Sequence, residues 1–228
     1  MKNNLIVLYE DNHVIVVVKE PNILSQEDST KDKDLLTMVK EYIKEKYYKP
    51  GNVYLGLVHR LDRPVGGVMV FARSSKAASR LSESIKKHEG FEKSYLAVVN
   101  GILKEKKGTF KDYLLKKEDG NTIVTDKTHG KESILNYEVL SEKDNMSLVK
   151  IDLVTGRHHQ IRVQFASRKH SLYGDARYGE YNGESICLWA YKISFIHPTT
   201  KEKKEFVFLP NVSNKGWNLF DIKSLVIN

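Results

Sequence analysis

A carboxylate placed between two cations is the feature of the sequence that best fits catalysis. Asp62 lies between Arg60 and Arg63, just before the glycine pair at 66–67. A carboxylate can attack an electron-poor carbon or begin an elimination, and a nearby guanidinium favours its charged form. The alternative is that Asp62 is a turn residue in front of the two glycines. Asp62 is therefore the first candidate for a catalytic group.

Two further segments follow this run in order along the chain. They are residues 93–101, with the sequence KSYLAVVNG, and residues 155–163, with the sequence TGRHHQIRV. Together with the sequence HRLD at 59–62, these segments resemble the RluA family of pseudouridine synthases. The similarity continues through residues 173–179 and the His-Pro pair at 197–198, so it spans roughly residues 5–210.

The resemblance implies an activity and a set of catalytic residues. Members of the family isomerise uridine in ribosomal or transfer RNA to pseudouridine, and they need no cofactor. By this resemblance Asp62 is the nucleophile, Arg162 pairs with it across a cleft, and Tyr95 lies against the uracil ring. Whether Asp62 attacks the sugar or starts an elimination stays open. For Tyr95, the alternative is an ordinary aromatic residue in the core of a strand.

Four residues are predicted to contact RNA. In the family, the arginine at the position of Arg60 enters the helical stack when the uridine leaves it, and a surface ion pair is the alternative. Arg63 is expected to contact phosphate or to be structural. A helix predicted from about Arg157 would place Arg157 and His158 on the RNA side, with backbone N–H groups suited to a phosphate or to the Asp62 carboxylate. His158 and His159 are expected on different sides of that helix, which argues against a metal site.

The sequence departs from the family pattern at three places. Gly66 replaces the usual Ser or Thr, so the turn after Asp62 lacks a hydroxyl that could brace it. Residues 170–173 and 19–22 also differ from the usual motifs, although Pro and Asn at 21–22 still favour a turn. His59 and Asp175 are expected to be structural residues.

Composition narrows the class of protein. With 228 residues, 40% of them hydrophobic, the chain can bury a core and is expected to form one catalytic domain over 1–228, without a separate N-terminal RNA-binding module of the S4 type. Its net charge of +8 suits a polyanionic partner such as RNA. There is no apolar window of membrane-spanning length, and the single cysteine, Cys187, excludes an internal disulfide and is expected in the core. A cytoplasmic monomer is the default expectation.

Hydrophobic periodicity predicts an α+β protein with mainly antiparallel strands and flanking helices. The expected elements are a hairpin of 5–9 and 14–18, helices over 33–48 and from Ser74 or Ser75 to Gly90, and strands near 68–72, 94–99, 134–140, 147–154, 186–195 and 205–209. Residues 104–121 are predicted to form a loop or hairpin, either touching RNA or fully solvated. The resemblance adds the pseudouridine synthase fold, with a bent mixed sheet around a central basic cleft.

Two other functions compete with RNA modification. A catalytically silent RNA-binding protein would bind RNA regardless of Asp62, but Asp62, Tyr95 and Arg162 are all present. A metal-dependent nuclease or phosphotransferase needs clustered carboxylates or histidines, and the sequence has no such cluster. An RNA-modifying isomerase without cofactor or metal is therefore the expected function.

Overall fold

A computed structural model describes residues 5–180 and 182–227 of the chain. The described strands are β1 (Ile6–Glu10), β2 (Val14–Lys19), β3 (Gly56–Leu57), β4 (Gly66–Ala72), β5 (Phe91–Asn100), β6 (Lys107–Lys116), β7 (Thr122–Thr125), β8 (Lys131–Lys143), β9 (Met146–Leu153), β10 (Leu188–Ile196) and β11 (Lys203–Val207). The described helices are α1 (Leu35–Lys46), α2 (Ser75–Lys87), α3 (Gln160–Ala166) and α4 (Ile222–Ile227), with a 3₁₀ turn at Trp217–Leu219.

These residues cluster into two compact units. The first unit contains residues 5–92 and 192–208, and the second contains residues 93–180, 182–191 and 209–227. Strands β5 and β10 contribute residues to both units. The expectation of one catalytic domain over 1–228 stays a prediction.

The first unit is built on the predicted N-terminal hairpin. β1 and β2 pair antiparallel, and β2 also pairs antiparallel with β4, with Val16 opposite Val70. All six residues of β2 are buried, as are all seven of β4. In the sequence, strands that are buried on both faces appear as continuous apolar runs and not as alternating apolar and polar residues. Side chains of these strands meet residues of α2, β5 and β10 in one apolar cluster.

Helices α1 and α2 each begin after a capping side chain, and the cap of α2, Ser74, is one of the two predicted residues. The Asp34 side chain accepts a hydrogen bond from a backbone N–H in the first turn of α1, and the Ser74 side chain does the same for α2. The buried faces consist of Leu35, Val39 and Ile43 in α1 and of Ala77 and Leu81 in α2. α2 ends earlier than the predicted Gly90, because His88 takes the left-handed conformation, with φ of 57°.

The second unit is an antiparallel series of strands. β5 pairs with β9, β9 with β8, β8 with β6, and β6 with β7. Phe110, Tyr137 and Phe165 pack together in its core, with ring centroids 4.6 to 5.9 Å apart. β6 lies within the segment for which loop and hairpin were both open, so this segment forms part of a hairpin with β7.

The start of α3 corrects the prediction of a helix from Arg157. The helix begins at Gln160, and His159 before it has a left-handed φ of 51°. The Gln160 side-chain oxygen accepts hydrogen bonds from the Arg157 N–H and the Thr155 hydroxyl, which holds residues 155–159 in a turn. The prediction that His158 and His159 point to different sides is also wrong, since their rings stack with centroids 3.7 Å apart.

The α+β class with mainly antiparallel strands and few helices is confirmed. Cys187 is buried, as expected, and burial raises the pKa of its thiol to about 12. Within the described part of the chain, none of the helices is long and apolar enough to cross a membrane.

Candidate active site

Asp62 lies in a loop whose backbone is held from several sides. We call residues 58–65 the Asp62 loop. The Ser25 hydroxyl donates to the carbonyl oxygen of Leu61 at 2.8 Å and accepts from the Leu61 N–H at 3.1 Å. The Val65 N–H donates to the carbonyl oxygen of Asp62 at 3.0 Å, which closes a turn. The residues flanking the carboxylate are therefore fixed by hydrogen bonds.

A fully buried lysine holds the other end of this loop. The Lys19 amine donates to the carbonyl oxygens of Glu20 at 3.2 Å, Ile23 at 2.5 Å and Arg63 at 3.0 Å. Burial lowers the pKa of Lys19 to about 7, and the negative charge of Asp62 acts in the opposite direction. When protonated, Lys19 thus carries a positive charge that interacts with the candidate catalytic carboxylate.

The other residues around Asp62 differ in exposure. His59 accepts a hydrogen bond from the Val70 N–H at 3.1 Å, which agrees with its expected structural role. Arg60 is exposed, and no ion pair to it is found among the described residues. Arg63 forms an exposed ion pair with Asp32 at 2.7 Å. The turn after Asp62 uses glycine for its backbone, because Gly67 at the start of β4 has a φ of 134°.

Arg162 belongs to a polar cluster in the second unit. We call His158, His159, Arg162, Asp175 and Tyr178 the Arg162 cluster. Arg162 donates to both carboxylate oxygens of Asp175, at 2.8 and 2.6 Å, and both side chains are buried. Burial raises the pKa of Asp175, but the hydrogen bonds from Arg162 and from two backbone N–H groups outweigh it and lower the pKa. This two-point contact fixes the plane of the guanidinium.

Tyr178 contacts both His159 and Arg162 within this cluster. Its hydroxyl lies 2.7 Å from Nδ1 of His159 and accepts the Thr122 N–H at 2.9 Å. The Arg162 guanidinium lies over its ring, 5.2 Å from the centroid. Burial, together with the charge of Arg162, lowers the pKa of His159 to about 3, so this imidazole is neutral at pH 7. A neutral His159 can accept the Tyr178 proton at Nδ1.

The remaining predicted residues of this unit lie on β5 and in the turn before α3. Tyr95 is buried, 6% exposed, and stands opposite Ile151 of β9. Arg157 is exposed, and its Nε donates to the Glu132 carbonyl oxygen at 3.1 Å. His158 is half-buried, with Nδ1 2.9 Å from the Thr122 hydroxyl. Arg157 is thus available at the surface, whereas His158 is held in a hydrogen bond.

The structure brings Arg162 together with Asp175, a residue that was predicted to be structural. The predicted pairing of Arg162 with Asp62 stays a prediction. Sequence reasoning missed the buried roles of Lys19 and Tyr178. A usable signal for Lys19 was its position directly after five apolar residues, at the end of a buried strand. No such signal marked Tyr178, whose role depends on contacts with distant parts of the chain.

The chemical groups of these two sites are a carboxylate, guanidinium groups, a phenol and a buried amine. Over the described residues, no group of three or more His, Cys, Asp or Glu side chains is arranged to hold a metal ion. The arrangement is suited to stabilising negative charge and to moving protons with side chains.

Comparison with known proteins identifies the family. A family model described as RNA pseudouridylate synthase matches residues 13–167, more than half of the chain. Ribosomal large subunit pseudouridine synthase C of Buchnera aphidicola (subsp. Baizongia pistaciae) is 30% identical over 212 residues, with 88% of this chain and 65% of that protein covered. tRNA pseudouridine synthase C of Vibrio parahaemolyticus is 28% identical over 238 residues, with 94% and 93% covered.

A solved structure shows the same fold. The human RNA pseudouridylate synthase domain containing 4 protein superposes with a TM-score of 0.78 at 18% identity, covering 93% of this chain and 91% of that one. The chain spans about 65% of the length of the first curated relatives that it matches. These matches agree with the motifs around Asp62, Tyr95 and Arg162. The chain therefore belongs to the RNA pseudouridylate synthase family, in the RluA group that its motifs resemble.

Proposed function

We propose that this protein isomerises a uridine in structured RNA to pseudouridine, with Asp62 as the catalytic carboxylate. The observation that carries the proposal is the position of Asp62 inside the family match, in a loop whose flanking residues are fixed by hydrogen bonds to Ser25 and Lys19. A catalytic group must be held in one geometry to act efficiently, and such backbone contacts provide that rigidity.

The reaction rearranges bonds without net oxidation or reduction. The bond between uracil N1 and the sugar breaks, the base rotates, and a bond forms between C5 and the sugar while the proton leaves C5 and N1 gains one. Asp62 can serve by attacking the anomeric carbon or by starting an elimination across the sugar. Both routes use a carboxylate, and Lys19 in the first unit interacts with the charge of Asp62.

The remaining site residues have proposed roles in flipping and binding the uracil base, in pairing with Asp62 and in contacting the RNA backbone. Arg60 occupies the space that the uridine leaves when it flips out of its stack, and its exposure supports this role. Tyr95 lies against the uracil ring and assists removal of the C5 proton. Arg162 pairs with Asp62 in the complete site. Arg63, Arg157 and His158 contact the RNA backbone.

The RNA class follows from the names of the relatives. One is named for the ribosomal large subunit and another for tRNA, so ribosomal or transfer RNA is the proposed substrate. The net charge of +8 supports binding to a polyanion. The cytoplasmic location and the monomeric state remain predictions.

Mapping of pseudouridine in cells tests the proposal. RNA from cells with the gene, without it, and rescued by Asp62→Asn is treated with a carbodiimide that labels pseudouridine and is then read by primer extension. We expect one or more stops that vanish without the gene, return with the wild-type protein, and stay absent with Asp62→Asn. The substitution keeps the size of the side chain and removes its charge.

Two other outcomes would contradict parts of the proposal. Identical stops in all strains, together with RNA binding that Asp62→Asn leaves intact, would favour a catalytically silent RNA-binding protein. Stops restored by Asp62→Asn would keep the activity but remove Asp62 as its catalytic carboxylate. Circular dichroism of the purified variant shows whether the fold is kept.

A further inference from the structure

One lysine in the second unit has no role in the site described above. Lys93 is the residue before Ser94 in β5, two positions before Tyr95. Side chains two residues apart in a strand point to the same face, about 6.8 Å apart along the chain. Lys93 therefore emerges on the face of β5 that carries Tyr95, the residue proposed to contact uracil.

The Lys93 amine packs against the turn that follows β9. A Cβ atom built on Gly156 would lie 2.8 Å from Nζ of Lys93, so only a glycine leaves room for the amine in this position. The register of the two strands explains this approach, because Ser94 stands opposite Asp152, near the end of β9. Lys93 is half-buried, and its amine is directed toward the turn at residues 155–157.

The amine has no partner in the part of the chain that the structure describes. No hydrogen bond, ion pair or charge interaction joins Lys93 to another described residue. Burial alone lowers the pKa of the Lys93 amine. Buried polar groups in native proteins are almost always hydrogen-bonded, and an ammonium group can only donate. The Lys93 amine is half-buried and not fully enclosed, so an acceptor on a bound molecule can reach it.

The surroundings favour an anionic acceptor. Arg157, next to Gly156, is an exposed guanidinium with only its Nε donating to a carbonyl oxygen. Two cations beside a glycine turn suit a phosphate group, for which lysine acts as a point charge. A phosphate in contact with Lys93 would also return its amine to the charged form.

We propose that Lys93, seated against Gly156, binds a backbone phosphate of the RNA substrate close to the reacting uridine. This inference rests on the proposed function, since it takes the substrate to be RNA and places it by the position of Tyr95. The contact would hold the nucleotide by its backbone while Tyr95 meets the base. Lys93 is then a substrate-binding residue of the site.

The test uses the full-length protein and an unmodified transcript that surrounds the target uridine found by mapping. Dissociation constants are measured between 50 and 200 mM salt in an Asp62→Asn background, which prevents turnover. We expect Lys93→Ala to raise the dissociation constant roughly 10-fold or more, as for loss of a charged hydrogen bond. The slope of log affinity against log salt should become smaller by about 0.7–0.9, the value for one phosphate contact.

Gly156→Ala provides a second variant that keeps every charge. Its methyl group would displace the Lys93 amine, and no positive φ strains an alanine there, so the same change in affinity and slope is expected. Lys143→Ala is the matched control, because it removes one exposed lysine at the end of β8 and should change neither quantity. Circular dichroism checks folding, and Gly156→Ala decides the question if Lys93→Ala does not fold.

Three results would overturn the inference. Unchanged affinity in both variants would show that Lys93 does not contact RNA. Weaker binding with an unchanged salt slope would mean a contact to a neutral oxygen, not to a phosphate. A similar change in Lys143→Ala would show that the weaker binding comes from the loss of any positive charge and not from a specific contact of Lys93. Turnover by the wild-type protein, measured in parallel, tests the proposed function separately from Lys93.

Discussion

Lys19 and Asp62 show how a buried cation can serve a carboxylate in a loop. All three hydrogen bonds of the Lys19 amine go to main-chain carbonyl oxygens, one of them next to Asp62 at Arg63. The amine therefore fixes the loop, and the negative charge of Asp62 acts to raise the pKa of the amine. Its pKa of about 7 places its own titration in the physiological range. Lys19 thus holds the Asp62 loop through its hydrogen bonds, and its own charge changes with pH in the same range.

The stability of the protein should depend on pH through Lys19. The native pKa of about 7 lies below the ordinary value of 10.5, so between these pH values the unfolded chain binds a proton that the native protein does not. The wild-type free energy of unfolding should therefore rise with pH, relative to Lys19→Met, by up to about 1.4 kcal/mol per pH unit from pH 7 to 10. Below pH 7 the difference should be constant.

Urea unfolding of both proteins at several pH values from 6 to 10 measures this difference. Lys143→Met is the control, because it removes an exposed lysine at the end of β8 by the same substitution. Parallel curves for the wild type and Lys19→Met would contradict the lowered pKa.

At the scale of elements, Tyr178 joins three segments of the second unit. Its hydroxyl contacts the start of β7 at Thr122 and the turn before α3 at His159, while its ring lies under Arg162. The neighbouring Arg177 adds contacts to the carbonyl oxygen of Gly120 and the side chain of Asn121. The β6–β7 hairpin is thereby connected to the arginine that is proposed to act with Asp62.

Removal of this hydroxyl should impair turnover more than binding. Tyr178→Phe keeps the ring but leaves the Thr122 N–H and His159 without their partner, which costs about 1–3 kcal/mol for an unsatisfied buried group. We expect kcat to fall roughly 10-fold with little change in KM, because Arg162 is less well oriented. Tritium release from C5-labelled uridine in RNA measures both constants.

Tyr137→Phe is the matched control for this prediction. It also removes the hydroxyl of a largely buried tyrosine in the same unit, but that hydroxyl contacts the carbonyl oxygen of Glu105, at 3.3 Å. An equal loss of kcat in both variants would point to a general loss of stability, and the role of Tyr178 in orienting Arg162 would be rejected.

The elements also show what the sequence could predict. The N-terminal hairpin and helices α1 and α2 were predicted because their signals are local: apolar periodicity and, for α2, the cap Ser74. For the segment that contains β6, the sequence left a loop and a hairpin both open, because its lysines are typical of a solvated surface. In the fold, the three lysines at 106–111 pair with glutamates of β8, which lie 21 to 36 residues away in sequence.

The residues of the candidate site also fall into two groups: those that a local motif marks in the sequence and those that depend on distant contacts. Asp62, Tyr95 and Arg162 were found through motifs that can be read along the chain. The partners of Lys19 and Tyr178 lie up to 56 residues away, as in the contact from Tyr178 to Thr122, so no motif contains them. The start of α3 was misplaced because the side chain of Gln160 bonds back to the turn, which periodicity does not reveal.

For the whole molecule, the residues with proposed roles are divided between the two units. Asp62, Arg60 and Arg63 belong to the first unit, whereas Tyr95 and Arg162 belong to the second. Neither unit alone contains the complete set. The full chain, with its net charge of +8, is therefore the form in which activity and RNA binding are expected.

RNA affinity of the whole protein should fall as salt rises. Each cation that neutralises a phosphate releases a counterion, so log affinity should decrease linearly with log salt. Arg157→Ala should make this slope smaller by about 0.7–0.9, because Arg157 is exposed beside the turn before α3. Lys87→Ala should leave the slope unchanged, since Lys87 is paired with Glu83 at 2.7 Å. Filter binding of the target transcript at 50–200 mM salt measures these slopes, and equal slopes for Arg157→Ala and the wild type would exclude Arg157 from the RNA contacts.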